Sequence, residues 1–381
     1  MSHSAEIRIK SKNILTLNAF IKFMKLISVI GTRPQLIKAS VLSTQFSSDK
    51  LDHKIIDTGQ HYDPELSNIF FEQLFDKDAK FSNLNVDFKK EIDFYSKCLT
   101  ALEKIFIKDK PDVVICYGDT NTSVIAALVA SKMNIKLAHV ESGLRDFSDI
   151  RPEEKNRIIV DRLSNFLFCP TPNAVKNLDE ESKLYPVSKH FFTGDVMRDL
   201  FLKMKDKFSK PDIDLPDKFN IVTLHRQENV DNEENLKNIV RSLNDISLEI
   251  PMIFPIHPRT KKMLDSNDLN LNCLEIPPQG YLQFQWLLDK ATNIITDSGG
   301  VQKESFFHSK KCLLIYEGNT GWTELEEKGF FEISKPIYNS IIEAYTGLQF
   351  NQKINNKDVD YIFGKGNACE IISNFFRTLE K

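Results

Sequence analysis

Apolar runs rich in β-branched residues alternate with helical patterns along most of this chain, and the alternation starts again halfway. Leu26-Ile27-Ser28-Val29-Ile30 is a buried-strand candidate that Gly31-Thr32-Arg33-Pro34 turns into a helix. Lys54-Ile55-Ile56-Asp57 runs into Thr58-Gly59-Gln60-His61. Asp112-Val113-Val114-Ile115-Cys116-Tyr117 meets Gly118-Asp119-Thr120-Asn121-Thr122 ahead of a helix from Ser123 to Met133. Lys136-Leu137-Ala138-His139-Val140 leads to Glu141-Ser142-Gly143-Leu144-Arg145. After Asp195-Val196-Met197 the pattern restarts: a strand at Phe219-Asn220-Ile221-Val222-Thr223-Leu224, then a helix from Asn232 to Ile250. Further strands follow at Met252-Ile253-Phe254-Pro255-Ile256, Asn293-Ile294-Ile295 and Cys312-Leu313-Leu314-Ile315. Such alternation means parallel sheets with helices on both faces. The expected class is α/β: two Rossmann-like, doubly wound domains in tandem, facing a cleft.

With 381 residues, two cores are the default, because a single core stops growing at about 250–300 residues. Polar, proline-containing punctuation from Ser209-Lys210-Pro211-Asp212 to Pro216 lies near the joint. The expected division is an extension at 1–23, a first domain at 24–192 and a second at 193–366. A C-terminal helix at about 367–381 is expected to fold back on the first domain. The apolar run from Ile14 to Ile21 is short, lacks a small-residue cleavage site and is followed by Met24-Lys25, which favours Met24 as the natural start over a signal peptide. No apolar run approaches the ~20 residues of a membrane span. A net charge of -3 and a pI near 6.3 argue against nucleic-acid or membrane-surface partners. The cysteines (98, 116, 169, 273, 312 and 369) form no CxxC pair and no Cys/His cluster. That pattern fits reduced core thiols in a cytosolic protein, with no metal site.

Ligands of open α/β sheets bind at the carboxyl ends of strands, and the polar residues of this chain gather there. Thr296-Asp297-Ser298-Gly299-Gly300-Val301-Gln302-Lys303-Glu304 follows a strand and opens a helix. Unpaired amides at a helix start attract anions, the glycines allow close approach, and Ser298 can cap or donate. Glu304, about a turn and a half in, suits a ribose. The first half places Asp119, Glu141 and Glu153 at its strand ends. Each also has a plain structural reading: a cap for Asp119, an ion pair with Arg145 for Glu141, a first-turn acid for Glu153. Grouped carboxylates raise one another's pKa, as acid–base work near neutrality needs. Opposite them stand Arg33, Lys38, His225, Arg226, His257 and Arg259. Gln279 and Phe284, in Pro278-Gln279-Gly280-Tyr281-Leu282-Gln283-Phe284, offer amide readout and a flat contact for a base, or else Phe284 lies in the core.

These motifs carry a family resemblance. Gly31-Thr32-Arg33-Pro34, Thr58-Gly59-Gln60-His61, Tyr117-Gly118-Asp119-Thr120-Asn121, His139-Val140-Glu141-Ser142-Gly143-Leu144-Arg145, Pro152-Glu153-Glu154 with Asn156-Arg157, His225-Arg226 with Glu228-Asn229, and Asp297-Ser298-Gly299-Gly300 resemble the non-hydrolysing UDP-N-acetylglucosamine 2-epimerases from about Met24 to Gly329. The resemblance implies a glycosyltransferase-B-like fold and an isomerase that needs no redox cofactor. In such enzymes UDP leaves C1 of the sugar as the C2 proton departs, and re-adds after protonation on the other face. It implies a diphosphate held by Arg33, Lys38, His225, Ser298, Gly299 and Gly300, with the ribose on Glu304 and the uracil at Gln279 and Phe284. Asp119, Glu141 and Glu153 would be the acid–base carboxylates.

The short loop between Arg145 and Pro152, the segments Thr193–Asp199 and Gln302-Lys303-Glu304, and Trp322 look like the branch that handles UDP-2,3-diacetamido-2,3-dideoxyglucuronate. A uronate carboxylate would then call for Arg145 or Arg151. Departures are Tyr316 where the family usually has an arginine, Gly321 where it has a glutamate, and Gln35 where it often has a glutamate. The expectation is a cytoplasmic homodimer in surface-polysaccharide biosynthesis. Rival readings are the same chemistry on UDP-N-acetylglucosamine or a 6-deoxy amino-sugar nucleotide, a glycosyltransferase of the same fold, and a non-catalytic UDP-sugar sensor.

Overall fold

The computed structural model describes residues 24–60, 64–76, 78–86, 88–349 and 354–379. The extension at 1–23 and His61 lie outside them. Two parallel sheets make up the described chain. The first holds β1 (Lys25–Ile30), β2 (Asp52–Asp57), β3 (Lys80–Asn83), β4 (Val113–Tyr117), β5 (Lys136–Val140), β6 (Phe166–Cys169) and β7 (Lys189–Phe192), in the order β3-β2-β1-β4-β5-β6-β7. The second holds β8 (Asn220–Thr223), β9 (Met252–Pro255), β10 (Leu274–Ile276), β11 (Ile294–Thr296), β12 (Cys312–Ile315) and β13 (Phe331–Ser334), in the order β10-β9-β8-β11-β12-β13. The order reverses between β1 and β4 in one lobe and between β8 and β11 in the other, and at such switch points the chain parts to leave a crevice.

Helices cover both faces because their apolar residues recur at helical spacing. Glu233–Ser247 starts where the Asn232 side chain accepts from Asn235 N–H, and it buries Leu236, Ile239, Val240, Leu243 and Ile246 on one stripe. Losing one such leucine costs roughly 2–5 kcal/mol. One core cluster runs through both lobes, from Leu42 and Phe46 to Leu287, Phe306 and Phe363. Two others fill the remaining faces, around Val29, Phe106 and Ile125 in the first lobe and around Val222, Leu243 and Leu313 in the second.

The chain crosses between lobes at Thr193-Gly194-Asp195 and returns beside the same point. Asp195 N–H donates to Phe363 O at 2.9 Å. Gly194 has φ +83°, and a Cβ there would stand 2.7 Å from that carbonyl oxygen, so only glycine lets the two passes touch. The helix Ala368–Thr378 then lies on the first lobe, with Phe376 5.9 Å from Phe46 and Phe375 5.4 Å from Phe168, ring to ring. Among the described residues no helix is long and apolar enough to cross a membrane. Nor does any cluster of three His, Cys, Asp or Glu side chains stand ready for a metal ion among them.

Candidate active site

The switch points bring the turns after β1, β4, β5, β8 and β11 together. In the first lobe Gln35 ties two of them. It accepts from Gly31 N–H at 2.8 Å and donates to Tyr117 O and Thr120 Oγ1, both at 2.7 Å. An ionised glutamate has no hydrogen to give those oxygens, which accounts for the amide at this position. In the second lobe Asp297, fully buried, does the equivalent work. Its carboxylate accepts from His225 and Arg226 N–H at 3.0 and 2.9 Å, and its carbonyl accepts from Arg226 Nε at 2.6 Å.

Asp119 does not cap a helix. Thr120 caps Asn121–Lys132, accepting from Ser123 N–H, while the Asp119 carboxylate pairs with Arg157 at 2.5 Å. Glu141 does not pair with Arg145 either. It sits at φ +71° just past β5, with its carboxylate between Lys38 at 2.5 Å and Lys303 at 3.0 Å. Burial alone would raise this carboxyl, but Lys303 and Lys38 outweigh it and hold the pKa down to about 2. Lys303 comes from the second lobe and also binds Asp195 at 2.6 Å, so one ammonium joins both lobes to their crossover. Glu153 is exposed at the cleft, whereas Glu154 is buried and accepts from Asp146 and Phe147 N–H.

Across the cleft the helix Gly299–Phe307 begins at Ser298, whose hydroxyl accepts from Val301 N–H at 3.4 Å. A Cβ on Gly299 or Gly300 would meet its nearest neighbours at an ordinary 3.7 or 3.6 Å. Packing within the protein therefore tolerates larger residues there, and the open backbone is left for something else to approach. Glu304 is a buried residue of this helix, and burial first of all lifts its carboxyl to about 7, with Arg33 opposing. The Arg33 guanidinium lies 4.4 Å above Phe70 of the first lobe and 5.8 Å from Phe284 of the second. The His225 ring is half exposed, with Nδ1 3.1 Å from Asp297.

A polar cavity of about 60 Å³ lies between the lobes, walled by Arg151, Glu153, Arg157, Arg226, Gly299 and Gln302, among others. Tyr316 is sandwiched beside it, 4.4 Å from the Arg151 guanidinium on one side and 4.4 Å from that of Arg226 on the other. An arginine at 316 would face two guanidiniums; the tyrosine attracts both. Arg151 reaches over from the first lobe to the Glu317 and Asn319 carbonyls at 2.6 and 2.9 Å. Small-molecule sites run to about 300–1,000 Å³, so this cavity by itself holds only part of a nucleotide sugar.

The sequence matches the UDP-N-acetylglucosamine 2-epimerase family over residues 45–377. The chain belongs to that family. It is 38% identical over 360 residues to the UDP-2,3-diacetamido-2,3-dideoxy-D-glucuronate 2-epimerase of Pseudomonas aeruginosa, covering 93% of this chain and all of that one. It is 39% identical over 369 residues to the UDP-N-acetylglucosamine 2-epimerase of Methanocaldococcus jannaschii, covering 92% and 98%. The structure of an M. jannaschii UDP-GlcNAc 2-epimerase in complex with UDP-GlcNAc and UDP superposes with a TM-score of 0.83 at 37% identity, covering 93% of this chain and 99% of that one. This epimerase-family member thus has the glycosyltransferase-B-like pair of lobes that its sequence implies.

Two expected site residues stand elsewhere in this epimerase-family fold. Arg145 is buried away from the cleft in the loop after β5, bound to Asp161 at 2.8 Å and Glu181 at 2.6 Å, carboxylates of the two helices beside it. It cannot reach a sugar carboxylate. Phe284 is buried in the shared core, with the Arg33 guanidinium 5.8 Å from its ring, so it offers no open face to a base. Gln279 is half buried and donates to Pro277 O within its own loop. Arg157, Lys303 and Gln302 sit at the centre of the cleft, though their motif positions alone assigned them no task. Gly321 leaves room beside Arg157, whose guanidinium is already met by Asp119, Asp146 and Glu154.

Proposed function

We propose that this enzyme inverts C2 of a UDP-acetamido sugar by eliminating and re-adding UDP, with UDP-2,3-diacetamido-2,3-dideoxyglucuronate as its substrate. The observation that carries the reading is Glu141 bound to Lys303 of the helix Gly299–Phe307, with Glu153 lining the same cavity as Gly299. In this reading Arg33, Lys38, His225, Ser298, Gly299 and Gly300 grip the diphosphate as its charge grows, Glu304 takes the ribose and Gln279 meets the uracil. Asp119, Glu141 and Glu153 move the proton. Arg151 meets the uronate carboxylate. The charge on the cavity wall and the likeness to the P. aeruginosa protein favour the uronate over UDP-N-acetylglucosamine. A cytoplasmic homodimer is part of the same proposal.

The test is incubation with each nucleotide in deuterium oxide, following C2 by NMR. Epimerisation with deuterium uptake at C2 of the uronate is expected. Uptake only in UDP-N-acetylglucosamine would move the substrate assignment, and no uptake in either would sink the epimerase reading. Unchanged turnover of the uronate by Arg151→Ala would remove the role given to that side chain.

A further inference from the structure

Gln302 stands in the first turn of Gly299–Phe307 and is 1% exposed, yet neither Oε1 nor Nε2 has a hydrogen-bond partner. Buried polar atoms are almost always paired, and an orphaned amide is destabilising. Its backbone N–H already bonds Ser298 O, so the side chain plays no part in starting the helix. The same residue forms part of the wall of the interlobe cavity, which Gly299, Trp322 and Arg151 also line. At about 60 Å³ this space suits one or two small substituents rather than a whole sugar ring.

We propose that Gln302 is a specificity-determining residue that reads an acetamido group on the sugar; this rests on the UDP-acetamido-sugar reading above. The argument is one of complementarity. The amide presents one acceptor and two donor hydrogens, all unused. A carboxylate or phosphate supplies acceptors alone, so it would satisfy Nε2 and press negative charge against Oε1. A secondary amide supplies both N–H and C=O, pointing opposite ways because the bond is trans. One acetamido group therefore engages one end of Gln302, and the substituent on the adjacent ring carbon, a hydroxyl or a second acetamido, engages the other. The guanidiniums around the cavity are left for the anionic parts of the ligand.

Calorimetric binding of UDP, UDP-N-acetylglucosamine and the diacetamido uronate to wild type, Gln302→Met and Gln302→Glu tests this, together with the Tm of each ligand-free protein. Gln302→Met keeps the length and removes the polar atoms. It is expected to bind UDP within about two-fold of wild type and the sugar nucleotide roughly ten- to a hundred-fold more weakly. Its Tm should rise by about 2–4 °C, because no orphaned amide remains. Gln302→Glu should lose sugar affinity without that rise. Equal sugar-nucleotide binding by Gln302→Met and wild type would overturn the proposal, leaving water as the amide's partner. Equal weakening of UDP and sugar nucleotide would overturn it too, making Gln302 a structural or nucleotide contact. Wild type binding UDP but no acetamido sugar would bring down the underlying reading, and the proposal with it.

Discussion

At the carboxyl end of the first sheet stand side-chain charges: Asp119, Glu141 and Lys38. At that of the second stand backbone amides, at the start of Gly299–Phe307, wired by the buried Asp297. The strand orders agree up to the sixth strand, so the scaffold does not explain the difference. A buried charge must find an opposite partner or lose its ionisation, and the first lobe supplies Arg157 for Asp119 and Lys38 for Glu141. Amides at a helix start carry their partial charge at no such cost, since the fold itself orients them. A site of side chains is thus open to single substitutions that a site of backbone resists.

The harshest way to break that contrast is Glu141→Ala. It takes the carboxylate from between Lys38 and Lys303, leaving Lys303 to Asp195, and losing one side of a buried pair costs about 3–5 kcal/mol. Urea unfolding should show that loss, with C2 exchange abolished. A loss under about 1 kcal/mol would mean that Asp195 alone suffices for Lys303 and the lobes are not joined through Glu141.

Acid and base should separate the lobes next. In the second, Glu304 is raised from 4.5 to about 7. The folded form holds that proton more tightly, so its contribution is whole below about pH 4.5 and is lost as pH rises through 7. The loss is up to roughly 3 kcal/mol, and Glu304→Gln should flatten stability over that interval. In the first lobe, burial pushes His53 from 6.5 down to about 3. Its contribution is whole above about pH 6.5 and falls with pH, by roughly 2 kcal/mol at pH 5. His53→Gln should remove that acid slope. Calorimetric unfolding across pH 5–8 reads both, and slopes of the same sign would contradict the contrast.

The gentlest probe is the clasp between lobes. Arg151→Ala removes two carbonyl contacts and one face of the Tyr316 sandwich, and should cost about 1 kcal/mol. Gly318→Ala should act similarly, since a Cβ there would stand 2.3 Å from Arg151 Nη2. Small-angle scattering should show a larger fraction of open molecules for both variants.

The central strands were legible in the sequence because they are five or six residues long and mostly buried: β1 and β4 fall where valine and isoleucine cluster, and β5 on Leu137-Ala138-His139-Val140. Outer strands such as β3, β7 and β10 were not, being three or four residues long with mixed exposure. Of the site, the turns were visible because each pairs a strand end with glycine or an acid. The orientation of Arg145 was not, since it lies in the loop after β5 and its direction is set by Asp161 and Glu181 on two later helices. Gln302 and Lys303 carried a branch resemblance but no task until the first lobe was set against them.

Periodicity and turn chemistry are local, so one dimension suffices to settle two doubly wound lobes and the ends at which their polar residues gather. Partner choice is not local. Whether Glu141 meets Arg145, four residues away, or Lys303, from the other lobe, depends on which groups close packing brings within a few ångströms. Burial then decides how strongly that meeting shifts a charge. Only the assembled lobes could make that choice.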